Sequence, residues 1–185
     1  MSDVGTNRLE TSRLILRKFE ISDSESLYKN CGSDPKVPVF LSWNTHKDSH
    51  ETKEIINKWI ANYELPNTFN WAIEFKEVGE VIGNIMVVKY EVDNSACEIG
   101  YCIGSEYWNK GFATEALQAV IDFLFAEVGL NRISAKHDIL NPTSGEVMKK
   151  CRMTHEGILR DVQFKNNRFC TLAVYSILKR EWDRR

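Results

Sequence analysis

The stretch EIGYCIGSEYWNKGFATEAL, residues 98–117, changes character halfway along. Its first half belongs to ACEIGYCI, a strand-like run. After Ala113 the apolar residues Leu117, Val120, Ile121, Leu124 and Val128 recur at helical spacing, with Gly129 at the stop position. The turn Asn109-Lys110-Gly111-Phe112-Ala113 therefore opens a long helix directly after a strand. Backbone N–H groups at a helix start point outward, and the helix dipole there favours negative charge, so this step suits a phosphate. Gly111 and Ala113 are small enough to let a ligand approach the backbone, and Thr114 adds a hydroxyl. The turn lacks the G-x-x-x-x-G-K-[ST] ending of a nucleoside-triphosphate loop and the G-x-G-x-x-G of a dinucleotide site. On these residues alone, a connecting turn and an anion site both stay open.

Outward from this step, RLILR (residues 13–17) alternates apolar and basic residues and predicts a strand. ISDSESLYKNC offers Ser22 and Glu25 as the capping box of a short helix. Ile55, Ile56, Trp59, Ile60 and Tyr63 share one face of a second helix over residues 48–63, which Pro66 and Asn67 end. FNWAIEF, VIGNIMVVKY and ACEIGYCI form three meandering strands joined by turns at residues 77–80 and 93–95. After the long helix, RISAKHDI is a strand and TSGEVMKKC a short helix. THEGILRD and RFCTLAVYSILK close the chain as two strands turning at Asn166-Asn167. A strand–helix–strand passage inside an otherwise antiparallel order predicts an α/β (α+β) fold. Its sheet is mixed, mostly antiparallel and twisted, of about seven strands flanked by helices on both faces. No repeat, low-complexity tract or linker interrupts the pattern, so residues 1–185 read as one domain.

The 185 residues are 43% hydrophobic and 27% charged, as expected of a soluble globular chain. A net charge of -2 argues against a surface built to grip nucleic acid. No apolar run reaches the ~18 residues that cross a bilayer, and MSDVGTNRLETSR lacks the apolar core of a signal peptide. Cys31, Cys97, Cys102, Cys151 and Cys170 are odd in number and scattered, with no C-x-x-C pair. They predict reduced thiols in a cytoplasmic protein, and no metal site.

Five segments, in order and on matching elements, resemble the GNAT superfamily of acyl-CoA-dependent N-acetyltransferases. They are LETSRLILRKF, EIGYCIGSEYWNKGFATEAL, NPTSGEVMKKC, THEGILRD and AVYSILKREW. Within the superfamily the chain looks like the RimJ/RimL branch, which acetylates protein N-terminal amines, and the likeness spans nearly its whole length. The resemblance implies a GNAT-like sheet, acetyl-CoA as co-substrate, and direct transfer of acetyl to the N-terminal α-amine of a ribosomal-protein-like acceptor. A small-molecule amine or antibiotic as acceptor, or a CoA-binding module without transfer activity, are the alternatives. No metal, nucleic acid or membrane is implied, and the chain would act as a monomer or a homodimer.

The resemblance also assigns residues. The family's Q/R-x-x-G-x-G/A turn, which cradles the CoA pyrophosphate, corresponds to residues 108–113. Gly111 and Ala113 match, while Trp108 replaces the polar side chain. The cradle would then rest on the backbone N–H groups of Asn109, Lys110, Gly111, Phe112, Ala113 and Thr114, with Lys110 adding a point charge. Backbone groups of Cys102, Ile103 and Gly104 would meet the pantetheine arm, and an N–H near Ile103 the thioester oxygen. Glu98 is the expected base, acting through water, with Glu74 and Asp161 as weaker candidates. Asn141 and Ser144 match N-x-x-S/A and would contact CoA, although both are also good helix-cap residues. Met148 stands where many relatives carry a catalytic tyrosine, which leaves Ser144 or no acid at all. Cys97 and Cys102 are not expected to act as nucleophiles. Acceptor choice would lie in the loop at residues 35–47, the helix after it and the hairpin at residues 164–169. Relatives read Gly-Phe after the last helix, where this chain reads Arg152-Met153. A left-handed Arg152 would cost about 1 kcal/mol.

Overall fold

The computed structural model describes residues 5–184. Its strands are β1 (Leu9–Glu10), β2 (Leu14–Arg17), β3 (Asn70–Phe75), β4 (Glu80–Glu91), β5 (Ala96–Ile103), β6 (Arg132–Asp138), β7 (Thr154–Lys165) and β8 (Arg168–Leu178). They form one sheet in the order β1-β2-β3-β4-β5-β6-β8-β7, antiparallel at every step except β5 to β6. The helices are α1 (Ser24–Leu27), α2 (Ser49–Asn62), α3 (Phe112–Phe123), α4 (Pro142–Lys150) and α5 (Lys179–Trp182). The expected mixed sheet is present with one strand more than seven. The addition is β1, whose two residues are too few to display a period of two.

Strand alternation decides which helix covers which face. Trp71 and Ile73 of β3, with Ile99 and Ile103 of β5, pack against Leu117, Val120 and Ile121 of α3 and Met148 of α4. The alternate residues Ala72 and Val81 pack instead on Leu27, Cys31 and Ile56 from the α1–α2 side. Burying one such Leu or Ile contributes about 1.5–3 kcal/mol, so the two faces are held with comparable chemistry by separate sets of residues. No helix among the described residues is long and apolar enough to cross a membrane.

Local signals resolve unevenly. Asp48 caps α2, its carboxylate accepting the Glu51 N–H at 2.9 Å. The first helix is not capped by Ser22 and Glu25. A 3-10 turn starts earlier, at Ile21, and Asp23 accepts the Glu20 N–H at 2.8 Å. Asp23 also takes the Arg17 guanidinium at 2.8 Å, a charged partner on β2 that favours it over an uncharged serine. Arg152 does adopt the left-handed backbone, at φ 61°, a conformation that favours glycine.

Candidate active site

β5 and β6 run parallel, but they pair only from Ala96 with Arg132 to Ile99 with Ala135, while β5 continues to Ile103 and β6 to Asp138. Past Ile99 the strands part and a wedge-shaped gap opens in the middle of the sheet. The other edge of β5 stays on β4, and beyond the strand's end the Gly104 N–H donates to the Ile82 C=O at 2.9 Å. In an antiparallel ladder alternate residues turn their backbone groups to the same neighbour. Gly104 and Cys102 therefore face β4, and Ile103 and Tyr101 face the gap. Of the three residues expected to meet a pantetheine arm, Ile103 alone turns its backbone that way. The Ile103 C=O accepts the indole N–H of Trp108 at 2.7 Å, which leaves the Ile103 N–H directed into the gap.

The loop after β5 is folded by two left-handed residues, Asn109 at φ 60° and Gly111 at φ 82°. Gly111 is the N-cap of α3 and offers no side-chain cap, and the first intrahelical bond runs from the Glu115 N–H to the Gly111 C=O at 3.0 Å. The N–H groups of Phe112, Ala113 and Thr114 are thus first-turn donors directed out of the helix end. Asn109, Lys110 and Gly111 are exposed beside them. Phe112 is buried against Phe75 and Tyr107, with ring centroids 4.8 and 6.0 Å apart, so its ring anchors the loop while its N–H stays at the surface. Trp108, which stands in place of the family's polar residue, is tied into the loop. Its indole joins the loop to the end of β5.

Tyr101 shares the α3 side of β5 with Ile99 and Ile103 and reaches α4. Its hydroxyl lies 3.0 Å from both the C=O and the Oγ of Ser144. Burial pushes the Tyr101 pKa above the ordinary tyrosine value, so it is a neutral hydroxyl at the far lip of the gap. Sequence reading missed Tyr101, and its phase with Ile99 and Ile103 was the available signal. Asn141 stands at the α4 N-cap, its C=O accepting the Ser144 N–H at 3.2 Å and its side chain making no cap bond. Met148 is buried in the core.

By the same alternation Glu98 projects from the opposite face of β5. There its Oε2 meets Lys136 Nζ of β6 at 2.6 Å, with the carboxylate side chain 22% exposed. Glu74 pairs with Arg17 at 2.6 Å on β3, two strands from the gap, and Asp161 lies on the exposed edge strand β7, so neither borders the site. Burial pushes the Cys97 thiol up to about 12, so it supplies no thiolate. In the buried pair Cys31 and Cys102, their shared hydrogen bond raises Cys31 and lowers Cys102 against the opposing effect of burial, and the Cys102 thiol donates to Asn84 Oδ1 at 3.0 Å. Among the described residues no group of three or more His, Cys, Asp or Glu could hold a metal ion. The arrangement suits a two-ended ligand, with phosphates on the α3 N-terminus and a linear arm in the gap whose carbonyl meets the Ile103 N–H.

A family model described as an acetyltransferase (GNAT) domain matches residues 13–154. The N-acetyltransferase p20 of Bacillus licheniformis, itself uncharacterized, is 35% identical over 175 residues, covering 94% of this chain and 97% of that protein. The ribosomal-protein-serine acetyltransferase of Escherichia coli strain K12 is 31% identical over 102 residues, covering 55% of this chain and 56% of that protein. The crystal structure of a GNAT-family acetyltransferase from Bacillus anthracis matches with a TM-score of 0.83 at 29% identity, over 95% of this chain and 100% of that one. Acetyl-CoA, the co-substrate of this family, is a ligand with a pyrophosphate at one end and a thioester on a linear arm at the other. The chain belongs to the GNAT acetyltransferase family and is an N-acetyltransferase with acetyl-CoA as its donor.

Proposed function

We propose that this enzyme acetylates the N-terminal α-amine of a protein or peptide, of the kind ribosomal proteins present. The observation that carries the proposal is the gap itself, with the Ile103 N–H in it, Ser144 and Tyr101 on its α4 side and Glu98 on the other face. Residues 109–114 would hold the pyrophosphate on backbone N–H groups, with Lys110 as a point charge, while Asn141 borders the arm at the start of α4. The Ile103 N–H would stabilise the oxygen that gains charge as the amine attacks. Glu98 would take the amine's proton through water, and Ser144, backed by the Tyr101 hydroxyl, would supply one to the departing sulfur. A thiol of pKa ~8.5 needs little help to leave.

The acceptor follows from the base available. A carboxylate is a modest base, and an α-amine of pKa ~8 is partly neutral at pH 7, whereas a lysine amine of ~10.4 is almost wholly charged. The similarity to the ribosomal-protein-serine acetyltransferase supports the same choice. The test offers acetyl-CoA with three acceptors and follows release of the CoA thiol. These are peptides with a free N-terminus, the same peptides blocked at the N-terminus but carrying an internal lysine, and spermidine. The free peptides should react roughly tenfold or more faster than the blocked ones, one pKa-scale decade or greater. Turnover of spermidine with none of the peptides would replace the proposal with a small-amine acceptor.

A further inference from the structure

We propose that Arg13 and Glu115 form a strut that shapes the donor loop, making Arg13 a positioning residue for acetyl-CoA. The proposal rests on reading residues 109–114 as the pyrophosphate cradle. Arg13 precedes β2, yet its Nη1 donates to the Lys110 C=O at 2.9 Å, across 97 residues of sequence. Its Nε and Nη2 each lie 2.7 Å from Glu115 Oε2, and its guanidinium carbon is 4.3 Å from the centroid of the Phe112 ring. One planar group thus touches the turn before Gly111, the first residue of α3 and a carboxylate in the same helical turn. The other Glu115 oxygen accepts from Thr11 Oγ at 2.6 Å, Ser12 Oγ at 3.1 Å and the Arg13 N–H at 2.9 Å. Lys76 braces this segment from β3's end, donating its Nζ to the Thr11 C=O at 2.6 Å and its N–H to the Arg13 C=O at 3.0 Å.

Two consequences bear on the donor. The C=O and N–H of one planar peptide unit point in opposite directions, so holding the Lys110 C=O against Arg13 turns the Gly111 N–H away from it, outward with the first-turn donors of α3. Glu115 would otherwise place a bare negative charge in the turn where phosphates dock. Burial alone would raise its pKa, but hydrogen bonds from Thr11, Arg13 and Ser12 outweigh that and keep it ionised, and the Arg13 charge compensates it. A lysine at position 13 could not hold the carbonyl and the carboxylate together.

The test compares dissociation constants for acetyl-CoA and for S-acetylpantetheine, which keeps the arm and lacks the pyrophosphate. The proteins are wild type, R13A, R13K and R13A/E115Q, with a melting temperature for each. R13A should weaken acetyl-CoA roughly tenfold or more while leaving S-acetylpantetheine within about twofold, as expected for lost charge-assisted hydrogen bonds at one end of the ligand. R13K should show most of that loss and keeps the comparison available if R13A does not fold. R13A/E115Q should recover part of it, because the uncompensated carboxylate is gone. Equal weakening of both donors, or unchanged acetyl-CoA affinity, would overturn the strut. Equal affinity of the wild type for the two donors would overturn the cradle itself, and the strut with it.

Discussion

Gly104→Ala should abolish most acetyl transfer and also weaken the fold. A Cβ at this position would stand 2.1 Å from the Asn30 C=O oxygen and 2.9 Å from its carbon, both main-chain atoms that cannot swing aside. The backbone at Gly104, φ -56° and ψ 143°, is open to alanine, so the effect is steric rather than conformational. Asn30 has little room to retreat, because its side-chain amide donates to the Val81 C=O at 2.9 Å and to Glu80 at 3.1 Å. The end of β5 must move instead, carrying the Ile103 N–H and the Trp108 tie with it. Overpacking of this kind costs about 1–3 kcal/mol, and misplacing a reacting group by about 1 Å costs about 100-fold in rate. Urea unfolding and CoA release would read the two effects. Gly100→Ala provides the contrast, since its Cβ would meet only the movable Val88 side chain, at 2.9 Å. A Gly104→Ala enzyme as active and as stable as Gly100→Ala would remove the strand end from the mechanism.

Glu98→Gln is expected to lower kcat/KM by about 100-fold near pH 7, within the range of a lost general base. The substitution keeps the size of the side chain and its place beside Lys136, so packing is preserved while the proton acceptor is removed. The loss should shrink as pH rises through the ~8 of an α-amine, because solvent then supplies the neutral nucleophile without help. A loss that is the same at every pH, or none, would assign Glu98 to the ion pair alone. Lys136→Met separates the two roles, since it removes the pairing and leaves the carboxylate.

Much of the fold was legible because two periodicities meet at residues 98–117. A strand period running into a helix period, followed by another strand, gives room for the crossover a parallel pair needs, and β5 with β6 is that pair. The helix-end donors were legible for the same reason. What escaped were partners distant in sequence. Tyr101 with Ser144, Arg13 with Lys110 and Glu115, and Glu98 with Lys136 each join residues from different elements, and one sequence carries no sign of who meets whom. The tie from Trp108 to the Ile103 C=O is of the same kind, since an indole N–H takes a nearby carbonyl when the fold offers one. Which of Cys102, Ile103 and Gly104 faces the gap depends on strand register, and register appears only once the Gly104 N–H is seen on the Ile82 C=O. The cap at Glu20 and Asp23 was hidden likewise, since Arg17 lies outside the local window that selected Ser22.

Backbone hydrogen exchange with and without saturating acetyl-CoA tests the donor site most directly, because the proposed contacts are amides rather than side chains. Exchange should slow at residues 111–114 and at Ile103, while the amides of the exposed edge strand β7 exchange as before. Saturation with acetyl-CoA that leaves residues 111–114 and Ile103 exchanging at their free rates would contradict the assignment of this loop and this gap to the donor.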